Sequence, residues 1–353
     1  MKLYPLSFLP SKDLLEKRLA RLLLAACMTS ALASCQALSF YTQAIRGQAE
    51  ITFTKVPVSK VLQSPATTPE LAAKLQLAQE LVDFAESELA LDASGSYRHY
   101  ADLQRDHVTY IVYAAPEFSL EPKTWWYPIV GEQDYRGYFQ KEDAKDLVAQ
   151  LEEEGFDTYL GGVSAYSTLG FFNDPLLNTF IEYPEVDLAE LIFHELTHQR
   201  YFEKKETSFN EALAEVVARE GTRRWLRKKG DRQALATYEL RLKRRSAIRS
   251  EIESSIARLK KLYATPLPAE EMRRRKTAEL QSLHDEVKKL YAGWQQKPSH
   301  FLSTPLNNAR LVSFTTYEAL VPELQKRLES HGRGLEAFFQ DIEKNGRLLP
   351  PSP

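Results

Sequence analysis

The sequence predicts an α+β fold: a small mixed sheet flanked by helices, then a mostly helical remainder with one long antiparallel helical hairpin. Three observations lead there. Segments rich in β-branched and aromatic residues, 107-HVTYIVYAAPEF-118 and 157-DTYLGGVSAYSTLGFF-172, are separated by a charged helical stretch and lead directly into another helix. Beyond residue 222 the chain turns into long charged stretches whose apolar residues recur every three or four positions. No internal repeat is visible, so a solenoid or propeller is not indicated.

The chain opens with a segment unlike the rest. Lys12, Lys17, Arg18 and Arg21 precede the apolar run 22-LLLAACMTSALA-33. That run is too short to span a bilayer and fits the apolar part of a signal peptide over residues 1–34. It ends in 32-LASC-35, the pattern of a lipobox whose cysteine, Cys35, takes lipid and becomes the first mature residue. A plain secretory signal with an incidental cysteine is the alternative. The only two cysteines are Cys27 and Cys35, so the mature chain can form no internal disulfide and relies on its core. The expected location is a bacterial cell envelope, anchored by lipid to a membrane and facing the periplasm. In lipoproteins that resemble this one, Gln36 after the cysteine suggests the outer membrane. The 353 residues are 43% hydrophobic and 27% charged with a net charge of −2, an ordinary globular balance. It gives no reason to expect nucleic acid as a main partner.

Residues 35–100 read as an N-terminal helical region. Its second helix, 69–92, opens on Thr68 as N-cap with Pro69 at the first helical position. Residues 101–221 carry the sheet: a strand over 107–118, strand, loop and hairpin over 124–139, a charged helix over 141–154 ended by Gly155, and extended chain over 157–172. From 222 to 298, Ile248, Ile252, Ile256, Leu259 and Tyr263 face Leu280, Leu283, Val287 and Leu290 across a turn containing 264-ATPLPAE-270. The clusters 241-RLKRR-245 and 273-RRRK-276 alternate with glutamates and read as solvated helix faces. Helix in 299–353 completes the catalytic domain.

The chemistry-bearing stretch is 191-LIFHELTHQRYF-202. Residues four apart on a helix are rotated by only about 40° and displaced by about 6 Å. His194 and His198 therefore share a face and can reach one metal ion, while Glu195 lies about 100° further round. That suits a carboxylate that does not bind the metal but takes a proton from a water held there. Two hydrogen-bonded helix histidines are the ordinary alternative. A catalytic zinc wants three protein ligands and an open position. HExxHxxGxxH is absent, because Tyr201 and Lys204 stand where its Gly and last His belong. The helical stretch 208-SFNEALAEVVAREG-221 offers Glu211 as third ligand and Glu215 on the same face as an acceptor for a ligand histidine's other N–H, with Asn210 beside them. Ser208 and Glu211 also match a capping box, a competing account of Glu211.

Together, HELTH and NEALAE resemble the gluzincins, zinc peptidases with HExxH followed by a glutamate on a second helix. Only twelve residues separate His198 from Glu211, which requires a tight turn between the two helices. Further stretches resemble a bacterial lipoprotein family named for aminopeptidases and zinc peptidases: 40-FYTQAIRGQ-48, 125-WWYPIVG-131, 135-YRGYF-139, 165-AYSTLGFFNDP-175 and 307-NNARLVSFTTY-317. The resemblance implies a zincin-like core in which 162-GVSAYSTLG-170 is a strand beside Zn2+ and binds peptide by main-chain hydrogen bonds. It implies an oxyanion donor as well, for which Tyr317 and Tyr166 are candidates. The expected activity is zinc-dependent peptide hydrolysis by an aminopeptidase. A zinc endopeptidase or oligopeptidase is the neighbouring alternative. So is a non-catalytic envelope scaffold whose helical hairpin binds a protein partner.

Overall fold

The structure is a computed structural model and describes residues 40–127, 131–165, 168, 172–298, 302–318 and 320–347, the side chains of 315–318 excepted. The expected signal peptide, Cys35 and Tyr166 lie outside the described residues. The chain divides into two compact units, Met1–Glu50 and Ile51–Pro353. Residues 40–54 are helical (α1).

The elements of the second unit alternate as the sequence suggests. Short strand β1 (Val56–Pro57) and helix α2 (Val58–Gln63) lead into α3 (Pro69–Glu88). Thr68 caps α3 by accepting from the Leu71 N–H at 3.2 Å, and Pro69 follows at the first helical position. Strands β2 (His99–Ala101), β3 (Thr109–Pro116), β4 (Trp125–Tyr127), β5 (Gly131–Gln133) and β6 (Tyr135–Tyr138) precede α4 (Lys141–Glu153) and β7 (Phe156–Val163). Then come β8 (Leu176–Leu177), α5 (Asn178–Ile181), α6 (Glu185–Arg200) and α7 (Thr207–Lys229). The long α8 (Arg232–Tyr263) and α9 (Ala269–Gly293) are followed by α10 (Asn308–Glu318), α11 (Val321–Ser330) and α12 (Leu335–Asn345).

The strands form three small sheets where the sequence suggested one mixed sheet. β3 is central to an antiparallel sheet in the order β6-β3-β7, β4 and β5 form a hairpin, and the parallel pairing among the described strands is β2 with β8. One face of the β3 sheet packs Tyr113 and Ala115 against Ala309 and Val312 of α10. Of the strand expected over 162–170, Tyr166, Ser167, Leu169 and Gly170 lie outside the described residues. β7 stops at Val163, so Ser164, Ala165 and Thr168 are not strand. Side chains capture the polar groups there. The Ser164 carbonyl accepts from Thr179 Oγ1 at 2.5 Å, and the Asp174 carboxylate accepts from Thr168 N–H and Oγ1 at 3.0 and 2.6 Å. Backbone groups held this way are not available to continue a ladder.

The main core is helical. Leu75, Leu81 and Phe84 of α3 meet Leu188, Ile192, Phe193 and Leu196 of α6, Leu213, Val216 and Val217 of α7, and Phe338 and Phe339 of α12. The hairpin has its own seam, in which Ile252 and Leu259 pack with Leu280, Leu283 and Val287, sealed by Leu311 of α10. Residue 222 lies inside α7, and the hairpin helices themselves span Arg232–Gly293. α7 runs without a breaker to Gly230, whose φ of +71° gives the left-handed turn that ends it.

Arg273, Arg274 and Arg275 are exposed, as a solvated face requires, while Arg241, Arg245 and Lys276 find partners on other elements. Arg241 pairs with Asp187 and with Glu190, and Arg245 with Glu190 and Glu215, tying α8 to α6 and α7. Lys276 is buried, donating to Asp157 Oδ2 at 2.6 Å and to the Glu117 carbonyl at 2.9 Å. Helical spacing alone could not say which cations find partners on neighbouring elements.

Candidate metal centre

Helix α6 buries Leu188, Ala189, Ile192, Phe193 and Leu196 completely. This leaves the other side, with His194 and His198, to face α7. Ala212, Ala214 and Ala218 are fully buried, in keeping with close approach of the two helices. One turn on, a Cβ at Gly221 would stand 2.7 Å from Leu89 Cδ1 and 2.9 Å from Phe193 Cδ2. The glycine therefore sets the separation of α7 from α3 and α6.

The predicted tight turn is present over Tyr201–Glu206, between the end of α6 and the start of α7. Asn210 makes it. Its carboxamide accepts from the Glu203 N–H at 2.8 Å and donates to the Glu203 carbonyl at 2.7 Å. Asn210 thus clips the connecting loop, one residue before Glu211. Ser208 lies inside α7, whose N-cap is Glu206 with no side-chain cap bond, so the capping-box account of Glu211 does not apply.

Across this turn the ligand atoms converge. His194 Nε2 lies 3.2 Å from His198 Nε2 and 3.2 Å from Glu211 Oε2, and His198 Nε2 lies 3.6 Å from the same oxygen. A tetrahedral ion with bonds of about 2.0–2.2 Å holds its ligands about 3.3–3.6 Å apart. The triangle has the size of one face of such a tetrahedron, and two nitrogens with one carboxylate oxygen are a donor set that a divalent metal accepts. These three residues can therefore hold a metal ion.

The electrostatics favour a cation there. Burial would lower His194, but Glu211, Glu195 and Glu215 outweigh it and lift the imidazole to about 9. Burial would raise Glu211, but His198 and His194 hold its carboxyl well below the usual carboxylate range. Glu195 is buried beside them and is not one of the converging ligands. Burial pushes its carboxyl up, His194 and His198 oppose this, and Glu211 and Asp174 add to it. Such a carboxyl is closer than an exposed one to the proton affinity a general base needs near neutral pH.

Glu215 sits 3.9 Å from His194 Nδ1 through Oε2. Its Oε1 accepts from Arg219 Nε at 2.8 Å and from Arg245 Nη1 at 2.5 Å. Burial opposes its ionisation, yet the two guanidiniums hold it well below the ordinary carboxylate range. His198 Nδ1 is buried and has no hydrogen-bond partner among the described residues. Tyr317 is on α10, which packs against α7 and β3, but its side chain lies outside the described atoms.

Two tyrosines that the sequence reading did not assign sit near the cluster. Tyr135 of β6 is pushed up by burial first and then by Glu211, Tyr127 and Glu195. Tyr97 is pushed up by burial, Glu195 and Asp174. The stretch 135-YRGYF-139 was the available signal for Tyr135; nothing in spacing marked Tyr97.

A family model described as "Putative aminopeptidase" matches residues 39–351. The chain belongs to that family. The family's description suggests a peptidase, and the match spans both helices of the cluster, the hairpin and the C-terminal helices. No curated protein and no solved structure matches the chain. No described helix is long and apolar enough to cross a membrane.

Proposed function

We propose that the protein is a zinc-dependent peptidase of gluzincin type, with a zincin-like core, acting on the free N-termini of peptides. One observation carries this reading: His194 Nε2, His198 Nε2 and Glu211 Oε2 converge at tetrahedral spacing, with buried Glu195 on the same helix. Zinc bound there would polarise the scissile carbonyl and make a bound water more acidic. The chain's own residues do the rest. Glu195 takes a proton from the attacking water and delivers it to the leaving amine. Glu215 orients His194 so that Nε2 offers its lone pair. Tyr317 and Tyr166 are the candidate donors to the developing oxyanion. The lipobox at Cys35 places the enzyme on an envelope membrane facing the periplasm in this reading, with peptides as substrates.

The test uses purified protein, metal analysis and a peptide library with free and blocked N-termini. The expected result is one zinc per chain, cleavage of free N-termini, and loss of cleavage in Glu195→Gln with zinc retained. Cleavage of blocked peptides at equal rates would make it an endopeptidase. Stoichiometric zinc with no difference between wild type and Glu195→Gln would leave a scaffold.

A further inference from the structure

The long hairpin touches the surroundings of the metal centre through Arg245. This residue lies on α8, outside the α6–α7 pair that carries every converging ligand. Its Nη1 bonds Glu215 Oε1 at 2.5 Å and lies 3.5 Å from Glu190 Oε1 of α6. Arg219, on the same helix as Glu215, bonds that same oxygen through Nε at 2.8 Å. Two guanidiniums thus converge on Oε1, while Oε2 is the oxygen turned towards His194 Nδ1 at 3.9 Å. One turn before Arg245, Arg241 fixes α8 to α6 through Asp187 and Glu190 and does not touch Glu215 among its described bonds. The side chain of Glu215 is 16% exposed, so its anion depends on these partners more than on water.

A histidine that gives its Nε2 lone pair to a metal must carry its proton on Nδ1, and an acceptor at that proton fixes ring tautomer and orientation. We infer that Arg245 is a positioning residue of the metal centre: from the hairpin it holds Glu215 where the carboxylate orients His194. Arg219 alone is a local contact between residues four apart on one helix. Arg245 makes the same carboxylate depend on α8 being docked, so the hairpin contributes to metal affinity although it supplies no ligand.

The inference rests on the metal-site reading above, and its test separates the two. Zinc affinity of the full chain is measured by competition with a chelator, alongside thermal unfolding of the metal-free form. Arg245→Met, which keeps the apolar stem, should weaken zinc binding about 10–100-fold. Arg245→Lys should recover part of that loss, and Arg241→Met should unfold at lower temperature with a smaller loss of zinc affinity than Arg245→Met. In a Glu215→Gln background, Arg245→Met should change zinc affinity no further, because its effect passes through that carboxylate. Wild-type affinity in Arg245→Met, equal loss in Arg241→Met, or additive losses with Glu215→Gln would each overturn the inference while leaving the metal site standing. A wild-type chain that binds no zinc overturns both.

Discussion

Two clusters in this molecule are made of the same residue types and do opposite things. In the C-terminal clamp, Arg327 Nε bonds Asp341 Oδ2 at 2.6 Å, His331 Nε2 meets the same oxygen at 3.0 Å, and Asn345 Nδ2 donates to Oδ1 at 2.7 Å. Arg327 spends its remaining donors on the Gly346 and Asp341 carbonyls at 2.8 and 3.1 Å. Each donor points at an acceptor, and the cluster closes the α11–α12 pair. At His194, His198 and Glu211 the two ring nitrogens point at each other and at one oxygen. That convergence is one a single metal ion could bridge. The difference teaches that histidine, carboxylate and arginine in contact do not define a site. Convergence of acceptor atoms does.

Breaking each cluster should therefore read out differently. The largest effect is expected from His198→Ala, which removes a ligand. Zinc binding should drop below detection, and added zinc, expected to raise the melting temperature of wild type, should leave that of the variant unchanged. Glu195→Gln should come next, with turnover reduced about 10²–10⁴-fold and zinc affinity unchanged. A parallel loss of zinc in that variant would mean Glu195 acts as a ligand.

On the other side, Arg327→Met leaves the Asp341 carboxylate without its main partner and should cost about 3 kcal/mol in denaturant unfolding. Zinc affinity should not move. This clamp also has a pH signature. Hydrogen bonding by Arg327 is the largest influence on Asp341, burial opposes it, and Asn345 and His331 assist, so its folded value lies below the ordinary one. The stabilisation is complete above the unfolded carboxylate value of about 4 and fades as pH falls towards the folded one. Stability measured between about pH 5 and pH 2 should drop less in Asp341→Asn than in wild type. The smallest effect is expected from Asn210→Ala, which unclips Glu203 and should cost about 1–2 kcal/mol. Hydrogen exchange would show the loss confined to the α6–α7 connection.

Much of this was legible in the sequence because it depends on local periodicity. Thr68 and Pro69 mark the start of α3, Gly155 follows the end of α4, and the isoleucines and leucines of 248–290 draw the hairpin seam. The spacing of His194, Glu195 and His198 is a helical property, and Asn-Glu at 210–211 supplied the third candidate ligand. What failed depends on long-range partners. β7 ends at Val163, and beyond it Thr179 and Asp174, from the following segment, hold polar groups of residues 164 and 168. The pairing of Arg241, Arg245 and Lys276 was hidden because their acceptors, Glu190, Glu215 and Asp157, lie on other elements.

By itself the sequence determined the elements and the residue types of the metal cluster, since helix geometry fixes which side chains share a face. The tertiary structure decided that Glu211 meets both histidines, that Asn210 clips the turn, and that Arg245 reaches Glu215. Those outcomes depend on how two helices approach across six residues and how a third docks on them, and on which buried charges then find partners. No local period encodes either.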